Sequence, residues 1–434
     1  MSNQWIGACG VLALFVLLFL RVPVWAALML VGVIGNTIVG GWSSSFAILG
    51  TTGFDTGSAY TLSVIPLFIL MGDVASSTRL SADLFNAARV LLSGIRGGLS
   101  IAAIGAAACF GAVCGSSVAT AATMTKIALP EMRKAGYDDG LATGSIAAGG
   151  SLGILIPPSI ILVIYAAIAE QSVPKLFAAA LIPGLVLTGI YIVVALIVAH
   201  LKPDYAPTVA NVTWKERLDA LRQPWQFLLL FIVTIGGIYA GVFSPTEAAA
   251  IGAFGAILLG LLGRRLTLSQ MIKAIEGTVI TSALLFVIII GATLFAYFIV
   301  QTQLPVLLSS FAQSMQLNAL TVMMIIVIAY VIIGCFLEGI GMVLITVPVF
   351  LPLVVKFGYD PIWFSIIVVI VVELGLIHPP VGMNLFVIQA QAPDVKLTAI
   401  YRGIIPFLIA PFLLIALLLI FPELALWLPK KLYG

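Results

Sequence analysis

Two segments that contain paired prolines carry residue types able to bind ions and small polar solutes. The first is GGSLGILIPPS at 149–159, and the second is ELGLIHPPVGMN at 373–384. Paired prolines remove two backbone donors and clash with the preceding turn, so neither segment can be a continuous helix. Unwinding frees carbonyl oxygens and exposes half-helix ends, whose C-termini favour cations and whose N-termini favour anions. A proline kink used only for packing is the alternative, and the matching register of the two segments weakens it.

Two further stretches are rich in glycine, GAVCGSS at 111–117 and GCFLEGIG at 334–341. In the first, Ser116, Ser117 and the nearby Thr120 offer hydroxyl oxygens, and the glycines let backbone carbonyls approach. Hard cations bind several oxygen ligands, which carbonyl and hydroxyl groups supply without full charges. We therefore expect one sodium ion beside the first broken segment and a second one in the matching place. Ordinary small-residue helix packing is the alternative for these stretches.

Ionisable side chains within apolar stretches are few, and each is a candidate for function because charge at membrane depth is costly. Glu338 and Glu373 either face a cavity or cap a half-helix. His378 is a candidate to donate to a substrate carboxylate, to relay protons or to satisfy a freed carbonyl. Asn384 either binds substrate or makes a structural hydrogen bond, and Thr120 completes the substrate-binding candidates. The carboxylates at membrane depth are Asp73, Glu276, Glu338 and Glu373, with Glu247 near the end of a span.

The composition excludes several classes of protein. Of 434 residues, 62% are hydrophobic and only 9% are charged, whereas soluble domains carry roughly 25% charged residues. Apolar runs near span length recur throughout, which is typical of a polytopic membrane protein in a lipid bilayer. A nucleic-acid binder, a disulfide scaffold and a soluble enzyme are therefore excluded. The absence of a nucleotide-binding phosphate loop also excludes ATP hydrolysis, so an ion gradient must supply the energy.

The apolar runs predict ten spans and two longer blocks. The blocks at 97–130 and 318–352 are too long for one span and too short for two, so we expect re-entrant helical hairpins. Short amphipathic pieces at 79–95 and 303–316 precede them. The predicted spans are 6–20, 24–40, 57–78, 138–168, 174–200, 225–242, 245–263, 274–300, 360–390 and 398–428. Of these, 138–168 and 360–390 are the broken ones.

The chain repeats itself at an offset of 222 residues, where LPEMRKAGYD (129–138) aligns with LPLVVKFGYD (351–360). We take this as a duplication, with repeats at 1–200 and 225–434 joined by a cytoplasmic linker at 201–224. Placing the N-terminus outside puts sixteen of the twenty Lys and Arg residues inside. That bias predicts that the two repeats have opposite orientations in the membrane. Inverted repeats with broken helices are typical of transporters that bind their substrate near the midplane.

Four stretches resemble the large membrane subunit of tripartite ATP-independent periplasmic (TRAP) transporters. They are FGAVCGSSVATAATM, LPEMRKAGYD, AAGGSLGILIPPS and HPPVGMNLFVI, in that order along the chain. The resemblance covers nearly the whole chain and implies an elevator-type, sodium-coupled importer of organic acids. It also implies a separate, small four-span membrane subunit and a soluble periplasmic binding protein that delivers the substrate. Many relatives carry Thr in place of His378, and often Asp near Glu338.

The same resemblance assigns two ion sites by matching residues. The first site comprises Ser116, Ser117, Gly149, Gly150, Ser151, Gly153 and Pro157. The second comprises Gly334, Gly339, Gly341, Gly375, Pro379 and Pro380, with Asn384 in the same region. We add Glu338 to the second site because it is a carboxylate in the second glycine-rich stretch.

We conclude that the chain is an all-α polytopic membrane protein with two inverted repeats, each holding a hairpin and a broken span. The expected function is sodium-coupled import of a small carboxylate across the bacterial inner membrane, with both termini periplasmic, no enzymatic activity and no cofactor besides the coupling ions. One alternative is a stand-alone sodium- or proton-coupled transporter of this fold. Another is an intramembrane serine protease that uses Ser116 or Ser117 with His378. A channel is the third.

Overall fold

The computed structural model describes residues 2–209 and 212–434, and the regular elements in that part of the chain are helical. In the first half these are α1 (Asn3–Phe19), α2 (Val24–Ser58), α3 (Val64–Ser77), α4 (Leu80–Leu91), α5 (Gly98–Cys114), α6 (Ser117–Lys134), α7 (Asp139–Ser151), α8 (Ile160–Ala169) and α9 (Val173–Leu201). The linker contributes α10 (Trp214–Arg222). Short 3-10 turns occur at Tyr60–Ser63, Leu152–Ile154 and Pro203–Tyr205.

The second half has a similar succession of helices. They are α11 (Trp225–Phe231), α12 (Gly237–Tyr239), α13 (Pro245–Leu262), α14 (Leu268–Gln301), α15 (Leu304–Ser314), α16 (Ala319–Gly334), α17 (Gly339–Lys356), α18 (Pro361–Ile377), α19 (Met383–Gln391), α20 (Leu397–Ile404), α21 (Ile409–Ile420) and α22 (Glu423–Tyr433). A π-helical turn at Ile232–Gly236 joins α11 to α12, and a 3-10 turn at Ile405–Leu408 joins α20 to α21.

Seven helical stretches of the described residues are long and apolar enough to cross a membrane, or eight if the bent pair of Trp214–Arg222 and Trp225–Tyr239 is one span. Shorter apolar helices, such as α5 and α16, lie between them. The chain is therefore a multi-pass membrane protein, as its composition predicts. The all-helical class predicted from the sequence is confirmed.

Both blocks of intermediate length form two helices joined by a short connection. In the first hairpin, α5 and α6 meet at residues 115–116, which we call the first tip. In the second hairpin, α16 and α17 meet at residues 335–338, the second tip. Gly115 at the first tip has φ +64°, a left-handed conformation that side chains with a Cβ rarely adopt. Ser116 then begins α6 by accepting a 3.3 Å hydrogen bond from the N–H of Ala119.

Both proline-rich segments interrupt a helix, as predicted. Residues 152–159, the first break, separate α7 from α8, and residues 378–382, the second break, separate α18 from α19. Each contains one cis peptide bond, at Pro157–Pro158 and Pro379–Pro380. Ser159 begins α8 by accepting a hydrogen bond from the N–H of Leu162 at 3.4 Å.

The duplicated sequence motif has a local structural reason. Gly136 and Gly358 end a helix with φ +79° and +85°, a conformation suited to glycine. Asp138 and Asp360 then cap the next helix, since each carboxylate accepts hydrogen bonds from backbone N–H groups of its first turn. The bounds of α6 (117–134) and α17 (339–356) also differ by 222 residues at both ends. The opposite orientation of the two halves stays a prediction.

Residues 41–58 differ from the sequence expectation, which placed no span between 40 and 57. The structure continues α2 through this stretch after a kink at Gly41, whose φ is +81°. At the 222-residue offset between the two halves, this part of α2 corresponds to the beginning of α14, which is one continuous helix. The polar residues in the run GGWSSS lower the hydropathy of this stretch without ending the helix, so the hydropathy pattern does not predict a span there.

The core of the molecule is formed by the helices that flank the two breaks. Residues 363–377 of α18 are all buried, and α7 and most of α5 are buried beside it. At the edge of this core, the Arg133 side chain bridges Asp139 and Asp394, each at 2.7 Å. The Arg133 guanidinium holds the pKa of Asp394 below its usual range. The first hairpin is thereby fastened to the loop that follows α19.

Candidate substrate and ion site

The first tip lies directly against the first break. A methyl group at Gly111 would lie only 2.5 Å from the Cα of Gly153, so the backbones touch where both residues lack a side chain. A methyl group at Gly153 would lie 3.1 Å from Thr120 Oγ1 and 3.2 Å from the carbonyl oxygen of Ser116. The structure thus brings Ser116 and Gly153, predicted for the first ion site, close to Thr120, predicted for substrate binding.

Two other glycines of the predicted first site serve helix packing. A methyl group at Gly149 would lie 2.9 Å from the side chain of Ala107 in α5, and one at Gly150 would lie 2.9 Å from Ala121 in α6. These residues let α7 approach both arms of the first hairpin. Pro157 is buried within the break itself.

Ser151 points toward the other half of the chain. Its hydroxyl lies 2.7 Å from Oε1 of Glu373 and 2.8 Å from the carbonyl oxygen of Ala148. Ser151 and Glu373 occupy the same register in the two halves, being 222 residues apart. Glu373 is fully buried, and its Oε2 has no hydrogen-bond partner among the described residues. The sequence indicates that Glu373 lies at membrane depth, but no signal in it reveals the pairing.

The second tip and break have the same close backbone contact. A methyl group at Gly375 would lie 2.9 Å from the carbonyl oxygen of Gly334, and one at Gly339 would lie 2.6 Å from Val372. Gly341 faces Val24 and the Cγ of Glu338. The second predicted ion-site region is therefore also contiguous, with Glu338 at the start of α17.

Asn384 joins the second break to the first tip. Its Nδ2 donates a 2.6 Å hydrogen bond to Oγ of Ser117, and both side chains are buried. The Oδ1 atom of Asn384 has no partner in the described part of the chain. Residues predicted separately, from different halves of the sequence, thus meet at one place.

His378 lies apart from these groups. Its Nδ1 is 3.7 Å from Sγ of Cys335 in the second tip, and it does not line the cavity described next. Its predicted role in substrate binding stays a prediction.

A cavity of about 260 Å³ lies between the two tips. Both hairpins, the start of α8, the first residue of α19 and the faces of α3 and α14 line it. Among its lining residues are Asp73, Ser116, Ser117, Ile160, Thr281, Leu285, Glu338, Gly339 and Met383. The sequence indicates most of the tip residues, but it misses the α14 wall, because Thr281 and Leu285 are unremarkable members of an apolar helix.

The cavity region offers oxygen ligands rather than a transition-metal site. Within residues 2–209 and 212–434, no group of three or more His, Cys, Asp or Glu side chains is placed to hold a metal ion. Hydroxyl, carbonyl and amide oxygens at the tips and breaks suit a hard cation such as sodium.

The chain is a multi-pass helical protein, and its fold matches a solved one. The chain superimposes on the YdaH transporter of Alcanivorax borkumensis with a TM-score of 0.63 and 15% identity, covering 96% of this chain and 98% of that one.

The chain belongs to the family described as "Tripartite ATP-independent periplasmic transporter, DctM component", whose model matches residues 11–424. It is 38% identical to the C4-dicarboxylate large permease DctM of Pseudomonas aeruginosa, over 87% of this chain and 88% of the relative. It is 32% identical to the sialic acid large permease SiaM of Vibrio cholerae, over 96% and 97%. It is also 32% identical to the ectoine/5-hydroxyectoine large permease UehC of Ruegeria pomeroyi, over 85% and 86%.

This membership confirms the resemblance seen in the sequence. The chain is a transport protein and not an enzyme. The contacts of the described residues do not favour the serine-protease alternative, because Ser116 accepts from the Ala119 N–H, Ser117 accepts from Asn384, and His378 lies beside Cys335.

Proposed function

We propose that this chain is the large membrane subunit of a sodium-coupled importer of a small organic acid in the bacterial inner membrane. The observation that carries the proposal is the cavity that both hairpin tips line, together with Ile154 of the first break and with Leu376 and Met383 on either side of the second break. Relatives named for C4-dicarboxylate, sialic acid and ectoine transport support an organic acid as the substrate class.

The proposed sodium ions would bind at the tips and breaks. The unpartnered, buried Oδ1 of Asn384 beside Ser117 supports this placement at the first tip, because a bound cation would satisfy it. Glu338 and the Gly334–Gly375 contact mark the equivalent region of the second tip. Each sodium ion that enters down a potential of 100 mV contributes about 2.3 kcal/mol to import.

Alternating access by an elevator motion is the proposed mechanism. The hairpins and the broken helices pack into one unit, which buries residues 363–377 of α18 and 140–151 of α7. The long helices α2 and α14 pack against each other and present many apolar side chains outward, as a fixed scaffold in lipid would. Movement of the unit formed by the hairpins and broken helices against the scaffold of α2 and α14 would carry the cavity across the membrane.

Two partner chains belong to the proposal. The family description names a tripartite system, which supports a small permease subunit and a periplasmic binding protein that delivers the substrate. A related isethionate permease named DctMQ is longer than this chain, which covers 64% of it. A stand-alone transporter is the alternative, and uptake in vesicles with and without a binding protein would separate the two.

The test is thermal unfolding of the purified protein in sodium chloride and in choline chloride at equal ionic strength. An ion at 100 times its dissociation constant stabilises the folded state by about 2.7 kcal/mol. We expect a sodium-specific rise in melting temperature that Ser117→Ala reduces, because it removes a ligand of the ion proposed at the first tip. Ser145→Ala is the matched control, because the Ser145 hydroxyl bonds only the Leu141 carbonyl of its own helix.

Two results would contradict the proposed sodium site. If sodium and choline give equal melting temperatures, sodium is not the coupling ion. If Ser117→Ala retains the full sodium effect, the ion does not bind at the first tip.

A further inference from the structure

A second cavity, of about 570 Å³, lies where two membrane spans end on the same side of the molecule. It shares no lining residue with the cavity between the tips, and we call it the basic pocket. Lys202 directly follows the span Val173–Leu201, and Lys396 directly precedes the span Leu397–Ile420. Both line the pocket, as does Arg402 near the start of the second span. The basic pocket therefore lies near the membrane surface rather than at mid-membrane.

The side chains that line the basic pocket carry three positive charges and one negative charge. Asp138 is the one acidic residue among them, and its carboxylate accepts a 3.0 Å hydrogen bond from a backbone N–H of α7. Lys202, Lys396 and Arg402 form no ion pair within the described part of the chain. The pocket thus has an excess of positive charge, which an anionic group can neutralise.

Backbone groups add hydrogen-bond donors to this positive charge. α7 and α20 meet at the pocket, because a methyl group at Gly403 would overlap the carbonyl oxygen of Gly140, and both glycines line the pocket. Lys396 begins α20 without a side-chain cap, so the first N–H groups of this helix have no acceptor within it. Thr398 in the same turn also lines the pocket and offers a hydroxyl. Donors at a helix start beside basic side chains suit a phosphate group.

Exposed apolar side chains continue from the pocket along both spans. Val193 and Ile197 on α9 are each more than half exposed, and so are Ile405 and Ile409 at the start of the second span's longer helix. A spacing of four residues puts each pair on one face of its helix. Ile405 also lines the pocket, and α9 packs against α21. An amphiphile with an anionic head and apolar chains matches this succession of a basic pocket and an apolar surface.

We propose that the basic pocket binds the phosphate group of an anionic phospholipid, whose acyl chains lie along the exposed apolar side chains of α9 and α21. The charge bias of the sequence places the pocket on the cytoplasmic side, where the membrane surface is negatively charged. Basic pockets between spans on that side are typical sites for anionic lipid headgroups. A soluble phosphate ester would match the charge of the pocket but would leave the apolar surface uncovered.

The test is thermal unfolding of the purified full chain in detergent with added ligand, at constant ionic strength. The probes are dioleoyl phosphatidylglycerol, dioleoyl phosphatidylcholine and the soluble ester glycerol 1-phosphate. We expect phosphatidylglycerol to raise the melting temperature by about 2 °C or more, and the other two to have no effect. Lys202→Gln, Lys396→Gln and Arg402→Gln should each weaken the apparent affinity for phosphatidylglycerol about fivefold. The variant with all three substitutions should lose the response.

The matched control carries Lys215→Gln, Arg222→Gln and Lys273→Gln. It removes the same charge from exposed residues that the charge bias also places in the cytoplasm and that do not line the pocket. This control should respond to phosphatidylglycerol as the unmodified protein does. An equal loss of response in the control would show attraction to surface charge in general and would overturn the inference.

Three other results would also overturn the inference. They are equal stabilisation by phosphatidylcholine, equal stabilisation by glycerol 1-phosphate, and no stabilisation by any of the three probes. Melting temperatures without lipid show whether each variant folds, and the single substitutions test the pocket if the triple variant does not fold. The lipid response should be the same in sodium chloride and in choline chloride, so its failure is separate from a failure of the proposed function.

Discussion

At the scale of single residues, the contact between Ser151 and Glu373 couples the two halves of the chain. One hydroxyl hydrogen lies within reach of two acceptors, Oε1 of Glu373 at 2.7 Å and the Ala148 carbonyl oxygen at 2.8 Å. Tyr191, also buried, lies 3.4 Å from the same hydroxyl. This environment favours a structural role for Ser151, whereas the family resemblance places it in the first ion site.

Ser151→Ala separates these two roles. Removing the hydroxyl leaves the buried Glu373 carboxyl without its donor, which should lower the free energy of unfolding by about 1–3 kcal/mol. If Ser151 is structural, the melting temperature falls equally in sodium and in choline. If the sodium effect disappears with it, Ser151 is an ion ligand and the structural assignment is wrong. Ser145→Ala again serves as the control, with a smaller expected loss.

Sequence reasoning identified most chemical groups of the site but few of their partners. Residue type and membrane depth single out Ser117, Glu373 and Asn384. Their hydrogen bonds to residues 267 and 222 positions away depend on how the helices pack, which local patterns do not encode. The sequence shows Asp73 only as one of the carboxylates at membrane depth, and the structure adds that it lines the cavity between the two tips.

At the scale of elements, the contact of each tip with its break depends on paired glycines. Gly111→Ala should separate the first tip from the first break, because its methyl group would lie 2.5 Å from the Cα of Gly153. We expect a loss of about 1–3 kcal/mol in stability and a reduced sodium effect on the melting temperature. Gly105→Ala is the matched control on the same helix, where a methyl group meets nothing within 4 Å. Equal behaviour of the two variants would show that the contact does not shape the ion site.

The elements themselves were largely predictable, for identifiable reasons. Paired prolines mark both breaks, and glycine followed by aspartate marks both helix ends of the duplicated motif. The hairpins followed from block length alone. The sequence does not predict the helix at residues 41–58, because polar residues follow the kink at Gly41 and lower the hydropathy there. The helix nevertheless continues to Ser58, since hydropathy indicates lipid exposure rather than helix formation.

At the scale of the whole molecule, the opposite orientation of the two halves is open to a direct test. Lys134 and Lys356 end α6 and α17 at matching positions, and both are exposed. The charge bias places Lys134 in the cytoplasm and Lys356 in the periplasm. In a background that lacks the four native cysteines, Lys356→Cys in intact cells should therefore react with a membrane-impermeant maleimide. Lys134→Cys should react only after the membrane is opened.

The two positions control for each other, because each ends the same element of its own half. Labelling of both from the periplasm, or of neither, would show that the halves are parallel and would remove the basis for a cavity between inverted repeats. Labelling of Lys134→Cys alone would keep the inversion and reverse the topology, which would place the termini in the cytoplasm. Only the predicted pattern lets a periplasmic binding protein deliver substrate toward the second tip while the first tip faces the cell interior.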